Sequence, residues 1–135
     1  MSVRYLLDTN ICIYIRRKRP PEVLERFRKA RPGTVAISVI TWGELLVGAE
    51  KNQQREAALA RLQDFVAGVL ILPMPTDAAL RYGTIRASLE RTGTVIGNND
   101  LWIASHALAE ELILITNNER EFSRVPGLAI ENWVR

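Results

Sequence analysis

This chain alternates between two kinds of segment. Short apolar runs are separated by longer amphipathic segments along its whole length. VRYLL (3–7), TVAIS (34–38), VLIL (69–72) and LILIT (112–116) have the length and composition of strands, and Leu128 to Ile130 suits a final edge strand. Helical spacing of apolar residues runs over 9–17, 21–31, 39–51, 53–67, 77–92 and 100–111, with a short turn or helix at 117–122. Pro20-Pro21 separates the first two helices, Ser38 and Thr76 stand where N-caps belong, and Gly93 ends the fifth. Strands joined through helices need crossover connections, hence a mostly parallel sheet. The uninterrupted apolar runs VRYLL, VLIL and LILIT suit strands buried on both faces. The expected fold is a three-layer α/β/α sandwich around a mostly parallel 4–5-stranded sheet, with residues 1–135 forming one domain. Its crevice should lie at the carboxyl ends of the strands.

Several chemistries are excluded by what the chain lacks. A single cysteine, Cys12, permits no internal disulfide, which fits a reducing cytoplasm. Cys12 with His106 cannot supply a Cys/His zinc site. The opening MSVRYLLDTN has too short an apolar stretch for a signal peptide, and no apolar run is long enough to span a membrane. The turn after the first strand, Asp8-Thr9-Asn10, is not the glycine-rich turn of a dinucleotide fold. A haloacid-type phosphohydrolase needs an Asp where Asn10 stands, and both it and a receiver domain need a late lysine, whereas none follows Lys51. The net charge is +3, and all 18 basic residues except Lys18, Lys29 and Lys51 are arginine. Arginine-rich surfaces tolerate polyanions, although coding bias gives the same composition.

On the expected topology the acidic residues form a constellation. Asp8 follows strand one, Glu44 lies in the helix after strand two, Asp100 opens the helix that feeds strand four, and Asn117, Asn118, Glu119 and Glu121 follow strand four. Converging carboxylates repel one another, and a hard divalent cation relieves that repulsion. Asp8 and Asp100 taken singly could also be helix caps. Glu44 sits in the otherwise apolar VITWGELLVGA, where an ionised carboxylate needs a partner.

LLDTNICIYI, SVITWGELLVGAEK and IGNNDLWIASHALAEELILITNNEREFSRVPGLAIENW together resemble a PIN-domain ribonuclease, and more closely a VapC-type toxin of a toxin–antitoxin pair. The likeness runs from Leu6 to Trp133 in four ordered motifs. It implies that Asp8, Glu44 and Asp100 are the catalytic acids, with Asp8 and Asp100 as the main ligands of Mg²⁺ or Mn²⁺. Thr9 and Asn10 would steady the first carboxylate. Asn117 stands where such proteins often carry a fourth acid, with Glu119 and Glu121 as candidate substitutes. The implied chemistry is metal-assisted hydrolysis of an RNA phosphodiester, with tRNA, initiator tRNA first, as the substrate.

The same resemblance implies a homodimer, a VapB-like antitoxin partner, operator DNA bound only through that antitoxin, and a cytoplasmic location. Arg16, Arg17, Lys18 and Arg19 are candidates for contact with the RNA backbone, or equally a favourable charge at a helix C-terminus. Arg86 lies in a segment that could border the crevice. Two other readings remain open from sequence: a catalytically weak RNA- or antitoxin-binding regulator, and a PIN nuclease acting in RNA processing without an antitoxin.

Overall fold

The computed structural model describes residues 2–134. The strands are β1 (Tyr5–Leu7), β2 (Val35–Ser38), β3 (Leu70–Leu72), β4 (Ile113–Ile115) and β5 (Ile130–Glu131). They form one sheet in the order β3-β2-β1-β4-β5, and every pairing is parallel. The helices are α1 (Thr9–Arg17), α2 (Pro21–Lys29), α3 (Val39–Glu50), α4 (Arg55–Val66), α5 (Asp77–Arg91), α6 (Asn98–Ala109) and the single turn α7 (Glu119–Phe122).

Strand alternation sends neighbouring side chains to opposite faces. Leu7, Val35, Ile37 and Ile115 pack on one face with Ile11, Ile15, Val23, Leu45 and Leu62 of the helices. Leu6, Ala36 and Leu114 pack on the other with Ile85, Leu89, Leu101 and Ala104. The sheet therefore separates two apolar cores, which is the expected three-layer sandwich.

The strand order places the functional crevice. The chain leaves β1 for β2 and β3 on one side, then returns to β4 on the other side of β1. The direction of winding reverses between β1 and β4, and open α/β sheets bind ligands outside the strand ends at such a point. Asp8 follows β1 there, and Thr116 follows β4.

Three sequence expectations are corrected. VLIL forms a strand, but an edge one: β3 pairs only with β2, and Leu70 and Ile71 stay 44% and 39% exposed. Thr76 does not cap α5 through its side chain, because its own backbone is already helical (φ −62°, ψ −30°). The first N–H groups go instead to the backbone carbonyls of Pro75 and Thr76. The helix expected from residue 100 begins at Asn98, after an extended Gly97. Ser38 does cap α3, accepting from Thr41 N–H at 3.1 Å, and Gly93, at φ +68°, closes the end of α5.

Candidate active site

Asp8 comes from the end of β1. The carboxylate is buried and caps α1, with Oδ1 accepting from the Ile11 N–H at 2.9 Å. Burial pushes it up to about 6, against the pull of hydrogen bonds from the Thr116 side chain and the Ile11 N–H, and the Glu44 charge pushes it further up. Cap and site residue are therefore the same group. One oxygen anchors α1, while the environment makes a bare negative charge costly.

Glu44 projects from the second turn of α3. Its Oε1 accepts from Thr9 Oγ1 at 2.5 Å, and its Oε2 from Asn99 Nδ2 at 3.4 Å. Thr9 Oγ1 also lies 3.3 Å from Thr41 Oγ1. The partner that this carboxylate needs in its apolar stretch is thus a hydroxyl on α1 and an amide on α6.

Asp100 lies in the first turn of α6. It is pushed up to about 7, first by burial, then by its hydrogen bond with Glu121 and the charges of Glu121, Glu44 and Asp8. Glu121 moves the other way. Its own burial is outweighed by hydrogen bonds from Asp100, the Gly97 N–H and Asn118. Burial and the neighbouring carboxylates thus favour a proton on Asp100, while donors from Gly97 and Asn118 favour the anion on Glu121. Glu121 Oε1 accepts from Gly97 N–H at 3.1 Å, and its Oε2 from Asn118 Nδ2 at 2.9 Å. A Cβ at Gly97 would sit 3.5 Å from Asp100 Oδ2 and 3.7 Å from Glu121 Oε1, so this position lies against both carboxyls.

The structure separates the three candidates after β4. Glu121 joins Asp100. Asn117 and Glu119 turn toward β5 instead, where Asn132 Nδ2 donates to Asn117 Oδ1 at 3.0 Å and Glu119 Oε2 at 3.1 Å. Asn10 is exposed, as the second residue of α1. Sequence reasoning missed Thr116, Asn99 and Gly97. Thr116 is the only polar residue of the LILIT run, and its hydroxyl accepts from Asn118 N–H at 2.9 Å while bonding to Asp8. Asn99 and Gly97 carried no signal beyond their place beside Asp100.

The basic candidates also separate. Arg16 and Arg17 close the last turn of the nine-residue α1, on the order of 13 Å along the axis from its start at 1.5 Å per residue. With Lys18 and Arg61 they line a different groove, of about 810 Å³. Arg86 instead reaches Asn98, two residues before Asp100, through Nη1 at 3.4 Å. His106 is fully buried within α6, with Nε2 3.6 Å from Glu110 Oε1, as a packed residue rather than a member of the acid group. Cys12 is buried in the first core.

The donors at this crevice are hard oxygens, and burial raises the proton affinity of Asp8 and Asp100 among them; hard oxygens suit a small divalent cation. Among the described residues no set of three His, Cys, Asp or Glu groups is already gathered as a closed metal cage.

Comparison with known proteins bears on this site. The PIN domain family matches residues 5–128. Ribonuclease VapC2 of Haemophilus influenzae is 46% identical over 98% of this chain and 99% of its own length. The tRNA(fMet)-specific endonuclease VapC of Shigella flexneri is 44% identical over 97% of this chain and 98% of its own. The crystal structure of DNA-bound VapBC from Salmonella typhimurium superposes with a TM-score of 0.92 at 42% identity, covering 98% of this chain and 99% of that one. VapBC2 from Rickettsia felis, bound to a fragment of its promoter, gives 0.90 at 40% identity, covering 97% and 99%. The chain belongs to the PIN-domain family, within its VapC group.

Proposed function

We propose that this PIN-domain chain is the toxin of a VapBC-type pair, a metal-dependent endoribonuclease that hydrolyses RNA phosphodiesters. The observation that carries this reading is the meeting of Asp8, Glu44, Asp100 and Glu121 at the β1/β4 switch point, where two carboxyls hold protons to about pH 6 and 7. Initiator tRNA is the leading substrate, by analogy with the relative from Shigella flexneri. A VapB-like antitoxin is the expected partner, by analogy with the VapBC complexes, and operator DNA is contacted only through it. The active form is a cytoplasmic homodimer, and among the described residues no helix is long and apolar enough to cross a membrane.

In this reading Asp8 and Asp100 hold Mg²⁺ or Mn²⁺, assisted by Glu44. When bound, the ion supplies a more acidic water and charge stabilisation at the leaving oxygen. The protein's own share is orientation. Ile11 N–H and Thr116 fix the Asp8 carboxylate, Thr9 and Asn99 fix Glu44, and Gly97 N–H with Asn118 fixes Glu121 beside Asp100. Glu121 accepts the hydrogen bond from Asp100 and so sets when Asp100 becomes an anion. The carboxylates do not tolerate the phosphate's charge alone, which makes the cation a condition of substrate binding as well as of hydrolysis.

Purified protein incubated with bulk tRNA tests this reading. Discrete fragments should appear with Mg²⁺ or Mn²⁺ and vanish with a chelator. Cleavage that is indifferent to the chelator, or no cleavage with either ion, would contradict it.

A further inference from the structure

Beside the carboxylates, α5 and the segment that joins it to α6 enclose a recess of about 420 Å³, lined by Arg86, Leu89, Glu90, Ile96, Asn98 and Leu101 among others. Its volume falls within the range of small-ligand sites, roughly 300–1,000 Å³. It shares a wall with the acid site. Asn98 and Leu101 belong to the same end of α6 as Asp100, and Gly97 donates to Glu121. An RNA strand whose scissile phosphate lay at the carboxylates would run past this shared wall, within reach of a neighbouring nucleoside.

The floor is apolar, with Leu89 and Leu101 buried and Ile96 half-buried. The rim is polar and its orientation is fixed. Tyr82 stacks on Trp102 with ring centres 3.9 Å apart and planes 13° from parallel. The Tyr82 hydroxyl donates to Asn98 Oδ1 and accepts from Arg86 Nη1 at 2.7 Å. Arg86 Nε donates to Glu90 Oε2 at 3.0 Å. The carbonyl end of Asn98 is thereby occupied by two donors. Its amino end and Arg86 Nη2 have no hydrogen-bond partner among the described residues. The rim therefore offers a guanidinium edge and an amide NH₂ as donors, with the Glu90 carboxylate as an acceptor.

We propose that this recess is a base-specificity subsite that seats the nucleoside next to the scissile phosphate and prefers guanine to adenine. Guanine presents O6 and N7 as adjacent acceptors, the pattern that paired N–H donors read, and its N1–H and N2–H suit a carboxylate. Adenine replaces O6 with the N6 amino group. That group meets the donors of Arg86 and Asn98, while the Asn98 oxygen that would accept from it is held by Tyr82 and Arg86. The apolar floor takes the base plane. The assignment rests on the ribonuclease reading for the identity of its ligand, but not for the chemistry of the rim.

The test uses the intact protein with Mg²⁺ and a randomised single-stranded RNA pool, sequenced at its new 5′ ends. One position flanking the cut should be enriched in guanine over adenine by about tenfold, in line with one good bidentate contact. Arg86→Ala and Asn98→Ala should each bring that ratio close to one, with melting temperatures unchanged, since both residues are exposed. Cutting without a guanine preference, or a preference that both variants retain, overturns the subsite. A parallel NMR titration with GMP and with AMP keeps the two readings apart. If the protein cuts neither this pool nor bulk tRNA yet GMP perturbs the Asn98–Leu101 amides at lower concentration than AMP, the ribonuclease reading fails and the guanine site stands. If it cuts neither RNA and the two nucleotides behave alike, both fail.

Discussion

Thr9 Oγ1 on α1 lies 2.5 Å from Glu44 Oε1 on α3, so one hydroxyl joins the helix that follows β1 to the helix that follows β2. It is the direct side-chain link between the segment carrying Asp8 and the glutamate. Thr9→Val keeps the shape and removes the donor. It should lower kcat by roughly tenfold, the effect of losing one hydrogen bond to a charged group, about 1.5 kcal/mol, while Thr9→Ser retains most of the rate. Steady-state kinetics of both variants check this. Equal rates in Thr9→Val and the parent would show that Glu44 needs no such tether.

Asp8 predicts how metal-free stability follows pH. Its carboxyl holds a proton to about 6 when folded and to an ordinary value near 3.8 when unfolded. The folded state thus binds the extra proton across that window, and stability falls as pH rises from about 4 through about 6. The contribution is about 3 kcal/mol, from 1.36 kcal/mol per unit. Asp8→Asn should flatten the dependence and raise the melting temperature near neutral pH. Thermal melts in a chelating buffer from pH 4 to pH 8 measure it.

The Asp100–Glu121 pair predicts how metal binding follows pH. Glu121→Gln removes the charge that, after burial, does most to keep Asp100 protonated. Asp100 should then ionise at lower pH, and the pH at which Mn²⁺ binding is half complete should move down. Calorimetric titrations of Mn²⁺ at several pH values read this directly. An unchanged midpoint would show that Glu121 does not keep Asp100 protonated.

These residues also show how far sequence reasoning reaches. Asp8 and Glu44 were legible because an apolar run ends at one and surrounds the other, and burial makes a charge there conspicuous. Asp100 was legible from its place before the LILIT run, but the helix start was not, because an extended Gly97 sets it two residues earlier. The choice of Glu121 over Glu119 was not legible either. It depends on Gly97 N–H and Asn118 on one side and Asn132 on the other, contacts that only the packed chain creates. The exposure of β3 was hidden for a similar reason. An apolar run reads alike at the centre of a sheet and at its edge, and only strand order distinguishes them.

Trp133 predicts a stability effect remote from the crevice. It is 1% exposed, meets Tyr5 edge-on at 5.5 Å, and donates from Nε1 to Glu131 Oε1 at 2.8 Å. Arg26 lies over its ring at 5.4 Å and pairs with the same glutamate, which fastens α2 to the end of β5. Trp133→Ala should cost about 3–5 kcal/mol, and Trp133→Phe distinctly less. Urea unfolding of the two variants gives the comparison.

If the acids at the β1/β4 switch point make this chain a ribonuclease that stops growth, replacing them should free the cell while leaving the fold intact. The most direct measurement induces the parent chain and the Asp8→Asn, Asp100→Asn double variant in separate cultures and maps new RNA 5′ ends in both. Growth arrest with discrete cuts in tRNA from the parent alone is the predicted result. Equal arrest by both chains, or arrest by the parent with no new 5′ ends, would contradict it.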